Sequence, residues 1–140
     1  MECSINWDGE ARFIAHTGSG HELRMEGAGD LGGENQAARP MELILAGAGG
    51  CTAYDVVLIL KRGRHAISGC EVRLSAERAE TDPKVFTRIH YHYVVSGQGL
   101  KPEIVERAIR LSAEKYCSAS IMLGKTAQIS HDFEIVEQAA

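Results

Sequence analysis

The sequence predicts an α+β fold, with short strands around one long buried helix, assembled as a homodimer. Three observations predict it. Segments that alternate apolar and polar residues occur near the N-terminus and again over 67–95. A single apolar stretch over 40–62 is too long for a strand and opens with proline. That stretch is apolar on nearly every side of a helical wheel, so it must be covered all round. A chain of 140 residues has too few other elements to cover it, and a two-fold partner is the commonest solution.

The elements follow in order within one expected domain, 1–140. Residues 1–26 read as a strand meander: Cys3–Trp7, then Ala11–Ala15, then His21–Met25, with Asp8-Gly9 and Thr17-Gly18-Ser19-Gly20 as turns. Residues 27–39 are glycine-rich loop, long for a connection and therefore of functional interest. Pro40 opens the central helix, with Glu42 in its first turn, where negative charge is favoured. The helix runs to about Arg62, about 30 Å, and stops at Gly63. The absent side chains of Gly47, Gly49 and Gly50 predict close backbone packing just before Cys51.

Residues 67–95 form a hairpin. Cys70, Val72, Leu74 and Ala76 line one face of its first strand, and Ile89, Tyr91, Tyr93 and Val95 one face of its second. His90 and His92 point the other way and read as a polar sheet face. Residues 102–124 are helical, with an amphipathic run through Ile104, Val105, Ala108 and Ile109. A last strand covers 127–136, and a loose tail begins at Glu137.

Composition excludes several classes. The formal net charge is −4, and the cluster Lys61-Arg62-Gly63-Arg64-His65 is too short for a nucleic-acid footprint. Glycines, Glu42 and Asp55 make 41–60 a poor membrane span. The opening Met1-Glu2-Cys3 has no basic region followed by an apolar stretch, so cytoplasm is the expected location.

Four cysteines remain to be explained, and none has CxxC spacing, which argues against a structural zinc site. Cys3 and Cys70 lie in strands and read as core fillers. Cys51 follows a run of small residues that leaves room beside its sulfur. Asp55 lies one turn on, positioned either to accept a thiol proton or to bind a tyrosine or arginine. Cys117 precedes Ser118-Ala119-Ser120, a helix start that favours a thiolate, with Lys115 as a nearby positive charge. Taken locally, Cys51 and Cys117 are equally readable as chemical groups or as packing. Tyr54 and Tyr116 flank them and either pack or line a pocket, as does Met41.

Two segments carry a family resemblance: Arg39-Pro40-Met41-Glu42-Leu43 leading into Gly49-Gly50-Cys51, and Glu114-Lys115-Tyr116-Cys117-Ser118. With a Pro-to-Cys interval of 11 and a Cys-to-Cys interval of 66, the chain resembles the OsmC/Ohr family along nearly its whole length, and within it the YhfA-like branch. The resemblance implies an intertwined homodimer, with long central helices packed between antiparallel sheets that mix strands of both subunits. It implies a peroxidatic Cys51, a resolving Cys117 and reduction of organic hydroperoxides. An external dithiol or lipoylated protein would be the reductant, with no metal and no other cofactor. The sequence departs from the family where a glutamate should follow the helix-opening proline, because Met41 stands there and Glu42 comes next. It departs again in the meander, which lacks the family arginine near Gly18–His21 and leaves Arg24 and Arg39 as substitutes. Those departures keep two alternatives open: a non-catalytic protein that binds an apolar or thiol-reactive small molecule at the dimer interface, and a dimer with inert cysteines.

Overall fold

The computed structural model describes residues 1–138, and the chain divides into two compact units, Met1–Ala46 and Gly47 onward. The first unit is an antiparallel meander of β1 (Cys3–Trp7), β2 (Arg12–Thr17) and β3 (Glu22–Glu26). Gly9 takes a left-handed φ of 86°, which suits glycine at the first hairpin turn. The loop after β3 has a single 3-10 turn, Gly29–Leu31, and is organised by Glu26. Both Glu26 carboxylate oxygens accept backbone N–H bonds, from Glu34 on one side and from Gln36 and Ala37 on the other. Glu26 is 1 % exposed, and those amide donors hold its carboxyl below the usual range against the opposing effect of burial.

Helix α1 (Pro40–Arg62) begins in this unit and continues into the next. The Glu42 carboxylate accepts the Arg39 backbone N–H at 2.9 Å, the reach-back half of a capping box. The helix ends before Gly63, as expected, and the left-handed residue past its end is Arg64, with φ 61°.

In the second unit, β4 (Ala66–Arg78), β5 (Phe86–Gln98) and β6 (Gln128–Glu137) form a sheet in that order. β4 and β5 are antiparallel, but β6 runs parallel to β5. This corrects the all-antiparallel sheet expected from the resemblance. The reason is the connection: α2 (Pro102–Leu111), a π-helical turn (Ser112–Tyr116) and α3 (Ser118–Leu123) carry the chain across one sheet face and return it in the same direction. Glu137 and Gln138 are not loose, since Gln138 N–H donates to Gly97 O at 2.9 Å and Glu137 closes the β6 ladder. The rest of that tail, Ala139 and Ala140, lies outside the described residues.

The core of this unit is the inner face of β5: Ile89, Tyr91, Tyr93 and Val95 are each at most 2 % exposed. Val105, Ala108 and Ile109 of α2 are buried with it. From α1 the buried residues are Ala48, Gly49, Thr52, Val56 and Leu60, a stripe one turn apart. A Cβ on Gly49 would come within 2.7 Å of Leu74, so this glycine does permit close approach. Gly47 and Gly50 instead face open space. Ile44 and Tyr54 are 47 % and 68 % exposed, so within one chain the helix is buried along a stripe and not all round.

Candidate active site

Cys51 and Asp55 stand one turn apart on α1, and Cys117 caps the N-terminus of α3. The two sulfurs and a carboxylate oxygen of Asp55 all lie within 4.8 Å of one another. Two helices bring them together across 66 residues of chain. The π-helical turn matters here, because its wide turn (Cys117 N–H to Ser112 O, 2.8 Å) lets Ser112 face inward while α3 starts in a new direction.

Two hydrogen-bond chains hold the group. The Ser112 hydroxyl donates to Asp55 Oδ2 at 2.9 Å and is bonded to Thr52 Oγ1 at 2.8 Å. Thr52 is in turn bonded to the Tyr93 hydroxyl at 2.7 Å. On the other side, the Cys117 thiol donates to Ser120 Oγ at 3.0 Å and accepts the Ser120 N–H at 3.4 Å. Ser120 is bonded to the Tyr91 hydroxyl at 2.8 Å. Thr52, Ser112, Ser120, Tyr91 and Tyr93 are all buried, and no buried side-chain N or O among the described residues lacks a partner. Burial pushes the Tyr93 phenol up to about 12 and the Tyr91 phenol upward, so both are neutral donors and acceptors near pH 7.

Cys117 is fully buried, and burial pushes its thiol upward. The two Ser120 bonds act against that rise, and the neighbouring Cys51 thiol adds to it. The helix start that the sequence offered as thiolate-stabilising is present, but desolvation outweighs it. The Lys115 ammonium sits 5.2 Å from the centre of the half-exposed Tyr116 ring. Cys51 is half-buried. Two sulfurs and a carboxylate at this spacing also make a metal-ligating set, assembled from two helices and therefore invisible as a sequence motif.

The other expected residues are placed as follows. In the first unit, Glu42 is engaged by the Arg39 backbone, and the Arg39 guanidinium donates to Ala37 O at 2.9 Å and Asn35 Oδ1 at 3.2 Å. Arg24 is exposed on β3, and Met41 is half-buried. In the second unit, Tyr54 and Tyr116 are 68 % and 50 % exposed. Cys3 corrects the core-filler expectation, since it lies exposed on β1, whereas Cys70 is half-buried. Sequence reasoning missed Thr52, Ser112 and Ser120. Small hydroxyl residues on an apolar face were the available signal.

On the outer sheet face, His90 and His92 share the Asp132 carboxylate at 2.9 and 2.7 Å, and His92 also reaches Glu134 at 3.3 Å. The Asp132 bond raises the His92 pKa, and the histidines lower that of Asp132. The register of β5 with β6 creates these pairs, placing Ser130 opposite His90 and Asp132 opposite His92.

Comparison with known proteins identifies the family. A family profile described as OsmC-like protein matches residues 33–132. Protein YhfA of Escherichia coli is 44 % identical over 137 residues, covering 97 % of this chain and 98 % of its own. A hypothetical protein from Aquifex aeolicus is 28 % identical, with a TM-score of 0.87 over 99 % of this chain and 97 % of its own. The organic hydroperoxide resistance protein OhrB of Bacillus subtilis shares the fold, with a TM-score of 0.64 over 95 % of this chain and 96 % of its own, at 18 % identity. With the profile spanning most of its length and a relative aligned almost end to end, this chain belongs to the OsmC-like protein family.

Proposed function

We propose that the protein is a thiol-dependent reductant of organic hydroperoxides, acting in the cytoplasm as a homodimer. One observation carries this reading: Cys51 and Cys117, remote in sequence, have their sulfurs within 4.8 Å. That proximity supports a disulfide between them. Family membership supports a redox or peroxide-resistance role.

In the cycle, the Cys51 thiolate attacks the distal peroxide oxygen. The O–O bond breaks, and the leaving alkoxide takes a proton to become an alcohol. Cys51 is left as a sulfenic acid. Asp55, one turn away, is the base assigned to the departing thiol proton. The Cys117 sulfur then attacks the sulfenic sulfur, water leaves, and the disulfide closes. An external dithiol, free or carried on a lipoylated protein, restores both thiols by exchange and is itself oxidised to a disulfide. Ser120 fits the resolving step, since it holds the Cys117 sulfur through its hydroxyl and its amide. Apolar surface on α1, including the exposed Tyr54, favours an alkyl or aryl hydroperoxide and also a partner subunit.

Stopped-flow measurement of thiol loss with cumene hydroperoxide tests the cycle. The wild type should lose two thiols per chain rapidly. Cys51→Ser should lose none at that rate, and Cys117→Ser should stop at a sulfenic acid trappable by dimedone. Equal slow loss in wild type and Cys51→Ser would sink the reading. It would favour the second one, a binding protein for an apolar or thiol-reactive molecule. That alternative draws on Glu42 and Arg39 being engaged with the loop and helix start.

A further inference from the structure

We infer that the reduced site is also a binding site for a zinc-class divalent cation, with Cys51, Cys117 and Asp55 as its protein ligands. Cation and oxidant then compete for the same two sulfurs. The binding claim stands on geometry alone. Only its consequence, that bound zinc blocks hydroperoxide reduction, rests on the function proposed above.

The distances fit. Zinc takes sulfur at about 2.3 Å and carboxylate oxygen at about 2.0–2.2 Å, and a tetrahedron with those bonds holds its two sulfurs roughly 3.8 Å apart. The three donor atoms already lie within 4.8 Å of one another, near that spacing. Cys51 and Asp55 are four residues apart on one helix, a spacing that presents two ligands on one face. Cys117 approaches from the start of α3. Cys51 and Asp55 are half-buried, which leaves one side open for a water as fourth ligand.

The supporting shell is built as zinc sites require. Ser112 donates to the Asp55 carboxylate and is fixed in turn by Thr52. Ser120 lies against the Cys117 sulfur through both oxygen and amide. When Cys117 is a thiolate, the hydroxyl contact reverses and Ser120 becomes the donor. All three supporting residues are at most 5 % exposed, so their orientations are set by packing.

Charge points the same way. Binding displaces the two thiol protons and leaves two thiolates and a carboxylate, three negative charges, within one small volume. Among the described residues, no lysine or arginine is hydrogen-bonded or ion-paired to any of the three. A dication offsets that charge, and thiolate ligands select zinc over magnesium or calcium. Oxidation removes the site, because the disulfide consumes both thiolates.

The test is zinc titration of the full-length reduced protein against a chromophoric chelator, with cobalt(II) as a spectroscopic probe. Reduced wild type should bind one zinc per chain and give a thiolate-to-cobalt charge-transfer band. Wild type oxidised with diamide, which takes up two electrons and two protons as its hydrazine, should bind none. Cys51→Ser and Cys117→Ser should each abolish the band. Asp55→Asn should weaken zinc by at least about tenfold. His92→Ala should leave the stoichiometry at one, separating this site from the histidines of the outer sheet face. Retained binding after diamide, or in Cys51→Ser, would overturn the inference, as would unchanged affinity in Asp55→Asn. The diamide comparison uses unmutated protein, so a folding defect cannot imitate its result. Zinc binding without hydroperoxide turnover would count against the proposed function alone, and turnover without zinc binding against this inference alone.

Discussion

Thr52 shows how much a single hydroxyl can fix at this site. It is 1 % exposed and bridges the Tyr93 phenol and the Ser112 hydroxyl, which itself holds Asp55. Thr52→Val keeps the shape and removes that bridge, leaving the Tyr93 hydroxyl buried without its partner. The expected cost is about 1–3 kcal/mol in chemical denaturation, with Thr52→Ser recovering most of it. A loss below about 0.5 kcal/mol would mean that the network does not contribute as drawn. Asp55 was legible from sequence because it lies one turn from Cys51 on the same helix. Thr52 and Ser112 were not, because their roles appear only when α1 and the π-helical turn meet across 60 residues. Cys117 was legible as a helix cap but not as a buried thiol, since burial depends on what packs over the cap.

At the scale of elements, the long apolar helix and the two runs of strands were readable because periodicity and the Pro40 start are local signals. Two things were not. The parallel pairing of β6 depends on where the helical crossover delivers the chain, which local pattern does not encode. The loop over 27–39 read as a long glycine-rich connection, yet it is organised by a residue that ends the preceding strand. Glu26 gathers the amides of Glu34, Gln36 and Ala37, and its carboxyl is held below the usual range. A carboxylate with a lowered folded-state pKa contributes stability that is fully present above its unfolded pKa, about 4.3. That contribution is lost as pH falls through the lower folded value. Glu26→Gln should therefore melt several degrees below wild type at pH 7, because an amide supplies one acceptor oxygen where two are used. The gap should narrow as both proteins are acidified below the carboxylate range. Equal melting temperatures at pH 7 would show that the loop is ordered by something else.

For the whole molecule, the question is what covers α1. The chain buries one stripe of it, through Ala48, Gly49, Thr52, Val56 and Leu60. Tyr54 is two residues from Thr52, about 200° round the helix at 3.6 residues per turn, and so belongs to the opposite face. That face carries a large exposed aromatic, and Gly50 on the same face has open space before it. By length and composition alone this helix is also apolar enough to span a bilayer. Yet Asp55 in its middle is held by Ser112 and belongs to a protein site, which suits a helix covered by protein. A second copy laying its own α1 against this face would bury both, in the self-complementary manner of a two-fold interface. Sedimentation equilibrium at micromolar concentration should accordingly give twice the chain mass. Tyr54→Glu should shift the protein toward monomer, because each dimer would then bury two carboxylates with no cation to meet them. Circular dichroism of the variant distinguishes dissociation from unfolding. A wild type that sediments as a monomer would remove the partner and leave the apolar face of α1 to another occupant.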